Sequence, residues 1–564
     1  MKTNFLKRGI LLLSLFSAFF ITACSDDDTE IEEITVSSDN LEDLDVLVGE
    51  TYNFSIDVEE VDADEDLFGL AVRWYLDGTL VQTGLSYDFT ASEEGTYVLK
   101  YIILEDYSTT DEEVTKTVTL EAIDNVAEDD KFNIVQDNLY YSETQLSVVK
   151  SYWVNFEDEV SDEIATKGLR WYVNDELAGT GASFDFSPST EGTYTIKYAV
   201  RSHYSSTGAE ITKEAEVVTY TSEGIFILSE PNYTGSETIR GINSHTFKSS
   251  TVERFIVGDY TTFGATNQCI VNWAGKLYNV ATSAGSGVYF SQFNASTGAC
   301  TGTVASFSQS GTTCRAFSGI TPELGVLATS KGAYFVNLSD FTIDETAING
   351  TDAGAYDTFV ADGYLFIRVG TSAYAYELDG LSTTSEYVEL GTTKSGFIQS
   401  KDGSVWGASD SDLIKVSTRD LSVETVNLGD GGSVFTESWS WKPTAWVAST
   451  RENAFFYTVS SNGWSAAEVA KYDIDSAVAT RNFVSPADDM DGYSLYGTSI
   501  YYDSERDELV CLGTVGYTAY NGLFFFDAQT SIKSYTTLYD TADTEIYGTK
   551  DLYFPCMISP MKSY

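Results

Sequence analysis

From residue 223 to the C-terminus the chain repeats itself, at intervals of roughly 40–55 residues. One half of the repeat is an apolar strand, a polar turn rich in Asp, Asn, Ser or Thr, and a second strand. It occurs at 239–257, 288–307, 333–348, 373–390, 413–428, 469–483 and 523–538. A hairpin precedes each of the last six, at 268–280, 319–328, 358–369, 397–407, 445–459 and 499–513. The hairpin missing from the first copy is expected from the C-terminus, at 552–559. Such a unit cannot bury both of its faces alone, so the copies must stack. A row of sheets exposes edges unless its two ends meet. The expectation for 223–564 is therefore a ring of seven four-stranded blades, the first completed by the last residues. Six or eight blades are the alternatives.

A different repeat lies upstream. Residues 71–104 return at 168–201 with a constant offset of 97. Arg73-Trp74-Tyr75 returns as Arg170-Trp171-Tyr172, and the turn Asp77-Gly78 as Asn174-Asp175. Tyr87-Asp88-Phe89 returns as Phe184-Asp185-Phe186, and Glu94-Gly95-Thr96-Tyr97 as Glu191-Gly192-Thr193-Tyr194. Apolar and polar residues alternate with period two, as in half-buried strands. A Trp strand, a turn and a Gly-Thr-Tyr corner describe an Ig-like β-sandwich. The copies are expected at 35–125 and 130–222, joined by the acidic stretch 124–130. They resemble PKD-type domains of extracellular proteins and read more as spacers than as binding modules. Composition agrees with an all-β chain: 37 Tyr and 32 Phe, with only 7 Pro and 2 His in 564 residues.

The first residues address the protein. Lys2, Lys7 and Arg8 precede an apolar run at 9–21 that is short for a membrane span. Ile21-Thr22-Ala23-Cys24 matches a lipobox, so 1–23 is expected to be removed and Cys24 acylated. Asp26, Asp27 and Asp28 follow directly within an acidic tether, 24–34, and resemble an export signal to the outer face of the bacteroidete outer membrane. Lys and Arg number 32 against 85 Asp and Glu, a net charge of −53. That balance argues against a nucleic-acid partner, which needs clustered positive charge. Two histidines leave little room for a His-based metal site or catalytic triad. Neither a cofactor nor a catalytic constellation is expected. After Cys24 the cysteines are Cys269, Cys300, Cys314, Cys511 and Cys556. Cys300 and Cys314 either pair across neighbouring strands or are inert core thiols.

Loops that lead into the first strand of each blade gather around the ring axis, and there a ligand is expected. Trp439 and Trp441 alternate with Ser in one such loop and either form a stacking platform or pack into the ring. Tyr496 and Tyr547, each before a Gly, occupy equivalent places, as does Phe263. Tyr260, Asn267, Arg315, Tyr356, Lys394 and Tyr493 lie in matching loops. Arg315 and Lys394 offer charge to a phosphate or carboxylate. Asp489 and Asp491, beside Asp488 and Gly492, make a weak Ca²⁺ candidate without the EF-hand spacing. His245, placed in a blade turn, reads as structural, and His203 as a surface residue.

The C-terminal repeats resemble YVTN-type and YncE-like propellers. With the lipoprotein signal, the layout is similar to bacteroidete surface lipoproteins of the cobalamin-capturing BtuG type. That resemblance implies capture of a small-molecule nutrient, a corrinoid first of all, and its transfer to a TonB-dependent outer-membrane transporter. The alternatives are a peptide- or glycan-binding accessory of a SusC/SusD-type importer, an adhesion module, or a propeller hydrolase or lyase.

Overall fold

The computed structural model describes residues 33–59, 65–123, 125–146, 148–230, 240–247, 249, 252–258, 263, 266–282, 289–304, 312–434, 446–460, 466–515, 520–540 and 553–564. Strands dominate, as the composition implies, and the chain divides into two compact units, 1–126 and 127–564.

In the first unit a three-stranded sheet (Val36–Asp39, Thr51–Val58, Ser86–Thr90) and a five-stranded sheet (Leu44–Leu47, Val114–Ile123, Gly95–Ile103, Val72–Leu76, Thr79–Thr83) enclose one core. Trp74 is fully buried at its centre, and its Nε1 donates to Gly84 O at 2.8 Å. The second unit opens with a near copy. Trp171 is equally buried and donates to Gly181 O at 2.8 Å. The sequence repeat is thus a repeat of one packing device, an indole that satisfies its N–H inside the core. The turns also match: Asp77 and Gly78, like Asn174 and Asp175, all have positive φ, which suits the twist of a two-residue hairpin.

The expected boundary at 222–223 falls inside one strand. Ile211–Glu230 is a single 20-residue strand. Its first half pairs with Gly192–Val200 in the sandwich, and its second half pairs with Arg240–Thr246 and Tyr553–Ser563. No Gly-Pro or Asn-Gly punctuation interrupts it, so the β ladder runs through.

Among the described residues, seven antiparallel meanders follow. The first combines the end of that strand with Arg240–Thr246, Glu253–Gly258 and the C-terminal Tyr553–Ser563. The next are Thr266–Trp273 to Cys300–Val304, Cys314–Gly319 to Thr342–Ile343, Ala355–Ala361 to Val388–Thr392, and Ile398–Gln399 to Val423–Asn427. The last two are Trp446–Ala448 to Val478–Val484 and Ser494–Asp503 to Lys533–Asp540. Buried aliphatic and aromatic residues fill the space between each meander and the next. The seventh packs on the first, where Val510, Leu512, Leu523 and Phe525 meet Ile225 and Ile227. Such a succession is compatible with a β-propeller. His245 lies on a strand of the first meander, buried against Phe247 and Phe525, rather than in a turn.

The second sandwich lies against the hairpins that join first to second strands and, at Arg419, third to fourth. Asn138 Nδ2 donates to Asp362 at 3.3 Å, and Asn155 Nδ2 to Arg419 O at 2.9 Å. Tyr141 meets Trp273 edge-on, with centroids 5.4 Å apart. Glu143 accepts from Ala274 N at 2.8 Å and forms a buried ion pair with Lys562. The spacer role expected for 130–222 therefore does not describe it; the domain is a cap on one end of the meanders.

Candidate functional site

The cap leaves the opposite end, where first strands begin and second strands finish. At about 3.3 Å per residue, a seven-residue strand sets the ends some 20 Å apart. Arg315 sits at the start of Cys314–Gly319 and Tyr356 at the start of Ala355–Ala361. The Arg315 guanidinium stacks on the Tyr356 ring, 3.8 Å from its centroid. Arg315 is 5% exposed, and its Nη1 donates to Ala355 O at 3.0 Å. A second guanidinium, Arg368, comes within 4.7 Å of the same ring centroid. Its Nε donates to Gly370 O at 3.2 Å. The result is one tyrosine in contact with two arginines.

Burial governs the charges here. It lowers the pKa of both guanidiniums, Arg368 to about 10, with Asp357 opposing the fall at Arg368. Asp357, next to Tyr356, is itself buried and accepts from Phe397 N at 3.0 Å. Burial raises its carboxyl pKa to about 6, against the pull of that N–H and of Arg368. Two delocalised cations over a phenol ring suit a planar or bidentate anion such as a carboxylate or phosphate.

Asp357 also makes a pH prediction. Its folded pKa lies above the ordinary 3.8, so its favourable contribution is complete below that value and is lost as the pH rises through about 6. At pH 8 the buried carboxylate costs on the order of 3 kcal/mol. Asp357→Asn keeps an acceptor for Phe397 N without the charge. Urea unfolding should find the variant more stable than wild type at pH 8 and equal to it near pH 4. A constant difference across that range would contradict the assignment.

The other expected residues are placed differently. Asn267 is fully buried; its Nδ2 donates to Ser229 O at 2.8 Å and its Oδ1 accepts from Asn279 at 3.2 Å, which ties the first meander to the second. Tyr493 packs edge-on against Phe524 at 5.3 Å. Lys394 pairs with Asp410 at 2.7 Å. Phe263 is buried against Phe293. Asp489 Oδ2 accepts from Ser485 N at 2.7 Å beneath the short helix Pro486–Asp489, while Asp491 lies 3.9 Å from Lys533. These carboxylates serve a turn and an ion pair, and among the described residues no group of three or more His, Cys, Asp or Glu could hold a metal ion. Cys269, Cys314 and Cys511 are buried free thiols, Cys300 an exposed one. His203 is half-buried in the turn Ser202–Tyr204. Cys24, Asp26, Asp27, Asp28, Tyr260, Trp439, Trp441 and Tyr547 lie outside the described residues, as does the side chain of Tyr496. Arg368 escaped the sequence reading because it ends an apolar strand, Tyr364–Val369. It is the one basic residue between Lys331 and Lys394, a signal that charge scarcity alone could have raised.

Two solved structures are similar to parts of this chain. A quinonprotein alcohol dehydrogenase-like protein from Bacteroides thetaiotaomicron is 15% identical, with 76% of this chain and 99% of that one covered at a TM-score of 0.44. A protein of unknown function from Bacteroides caccae is 13% identical, with 50% and 98% covered at a TM-score of 0.32. No curated protein matches the chain. Residues 223–558, more than half of the sequence, match the domain of unknown function DUF5074, and the chain belongs to that family.

Proposed function

We propose that the seven meanders are the blades of a seven-bladed β-propeller and that two Ig-like domains precede them. The protein is a lipid-anchored lipoprotein of the outer membrane, acylated at Cys24 and facing the cell exterior. It captures a small anionic nutrient at the Arg315–Tyr356–Arg368 end of the ring and passes it to a TonB-dependent transporter. The capping sandwich stands at the other end, so the arginine end is the uncapped one. The observation that carries this reading is the two stacked guanidiniums in a chain of net charge −53. Two guanidiniums beside one ring offer a bidentate anion several donors together. We place corrinoids first among ligands, because their phosphodiester suits a bidentate arginine. No step of chemistry is proposed; the role is binding.

The test is titration of the full chain with cobalamin, then with anionic glycan and peptide pools. Arg315→Gln/Arg368→Gln should weaken binding of the responding ligand by about thirtyfold or more, as loss of a binding hot spot does. Its melting temperature should stay within a few degrees of wild type. Equal affinity in a well-folded double variant would move the site elsewhere.

A further inference from the structure

A hollow of 470 Å³ lies at the opposite end, between the cap and the hairpins, and a second of 420 Å³ runs from there along the first strands as far as Asp357. The two share Glu143, Lys150, Asp362 and Gln399 in their walls. The carboxylates of this region are already answered. Asp362 accepts from Asn138, from Gln399 at 2.5 Å and from Thr418 at 3.1 Å. Asp402 pairs with Lys415 at 3.0 Å, and Glu143 with Lys562.

The cations are not so answered. Lys150 stands at the start of Lys150–Phe156, in the wall of both cavities. Among the described residues its ammonium has no hydrogen bond and no ion pair. It faces the Tyr152 ring, 5.7 Å away, and the more distant field of Asp362. Burial lowers its pKa. Arg419, in the wall of the larger cavity, lies over the Trp153 indole at 4.7 Å, and its guanidinium likewise has no ion pair among the described residues. Lys401 Nζ, in the same wall, is bonded to Arg451 O at 2.8 Å, a carbonyl rather than a carboxylate. Around these charges lie the hydroxyls of Ser400, Ser404, Ser417 and Thr418; Ser400 already donates to Asp402 at 2.5 Å and Thr418 to Asp362 at 3.1 Å, so these two have lone pairs rather than protons to offer.

A partly desolvated ammonium without a partner is costly, and an incoming anion removes the cost. Hydroxyl walls add hydrogen bonds for a polyol. We infer that the hollow between cap and ring is a binding site for a small hydroxylated carboxylate of the sugar-acid class, whose carboxylate takes Lys150 and Arg419 while its hydroxyls take the Ser and Thr wall. Its cations, Lys150 and Arg419, are distinct from those of the arginine end. The cap is then part of a binding site as well as a support.

Calorimetric titration of the full chain with D-glucuronate tests this, with glucose as the neutral isostere and inorganic phosphate as the simple anion. Saturable glucuronate binding is expected, with glucose and phosphate each at least about tenfold weaker. Lys150→Met should weaken glucuronate by at least about tenfold and, without ligand, should melt no lower than wild type, because it removes a half-buried charge that has no ion pair among the described residues. Arg419→Gln, on the rim, supplies a second variant that should fold and lose affinity. Arg315→Gln/Arg368→Gln should leave glucuronate binding unchanged, which separates this site from the one at the other end. No saturable glucuronate binding, equal binding of phosphate or glucose, or full affinity in Lys150→Met would overturn the assignment.

Discussion

A chain that ends at residue 552 should lose cooperative unfolding of everything from 127 onward. Tyr553–Ser563 is laid along the second half of Ile211–Glu230, in register from Thr221↔Ser563 to Glu230↔Tyr553. Its other side reaches the second meander: Ser559 Oγ accepts from Asn272 N at 3.2 Å, and Met557 packs against the core between the second and third meanders, its Sδ 3.3 Å from Ile270 N. Deletion therefore strips a ladder from one meander, opens the core beside another and leaves an unpaired edge. Each ladder hydrogen bond contributes roughly 1 kcal/mol net. The summed loss reaches the whole stability of a typical domain, about 5–15 kcal/mol. Thermal and urea melts of the shortened and full chains decide the matter. A truncated protein that melts within a degree or two of the full chain would refute the closing role of this strand.

The second large effect is expected at Glu143. This residue reaches from the cap to the last strand and pairs with Lys562; their side chains are 1% and 8% exposed. Burial lowers the Lys562 pKa, and Glu143 opposes the fall. Tyr564 OH lies 3.3 Å from both carboxylate oxygens. Removing one partner of such a pair strands the other charge, so Glu143→Ala should cost about 3–5 kcal/mol. Replacing both, Glu143→Gln with Lys562→Met, should recover much of that loss, since no lone charge remains. A double-mutant cycle by urea unfolding measures the coupling. Additive losses would mean that the pair does not tie the cap to the ring.

The all-β character was legible because strand periodicity and turn residues are local. Trp74 and Trp171 were legible as equivalents for the same reason: the 97-residue offset carries the indole, its turn and its corner together. The run Ile211–Glu230 was not legible as one strand. Its two halves belong to different repeats, and continuity shows itself only in pairing partners far along the chain. Docking of the cap was hidden for a similar reason, because Asn138, Asn155 and Glu143 are ordinary polar residues until their partners at Asp362, Arg419 and Lys562 are known. At the candidate site, loop position put forward Arg315 and Tyr356, which the fold brings into contact, and also Asn267, which the core consumes. Arg368 arrives from a neighbouring strand, and nothing in local sequence connects it to Tyr356.

The central claim is that an anionic ligand is captured at the end of the ring opposite the cap. Hydrogen exchange of the full chain, with and without saturating cobalamin, tests it most directly. Protection is predicted at 349–356 and 368–372, the segments that flank Tyr356 and Arg368, with no change in the cap at 134–156. No change anywhere, or protection confined to the cap, would contradict it.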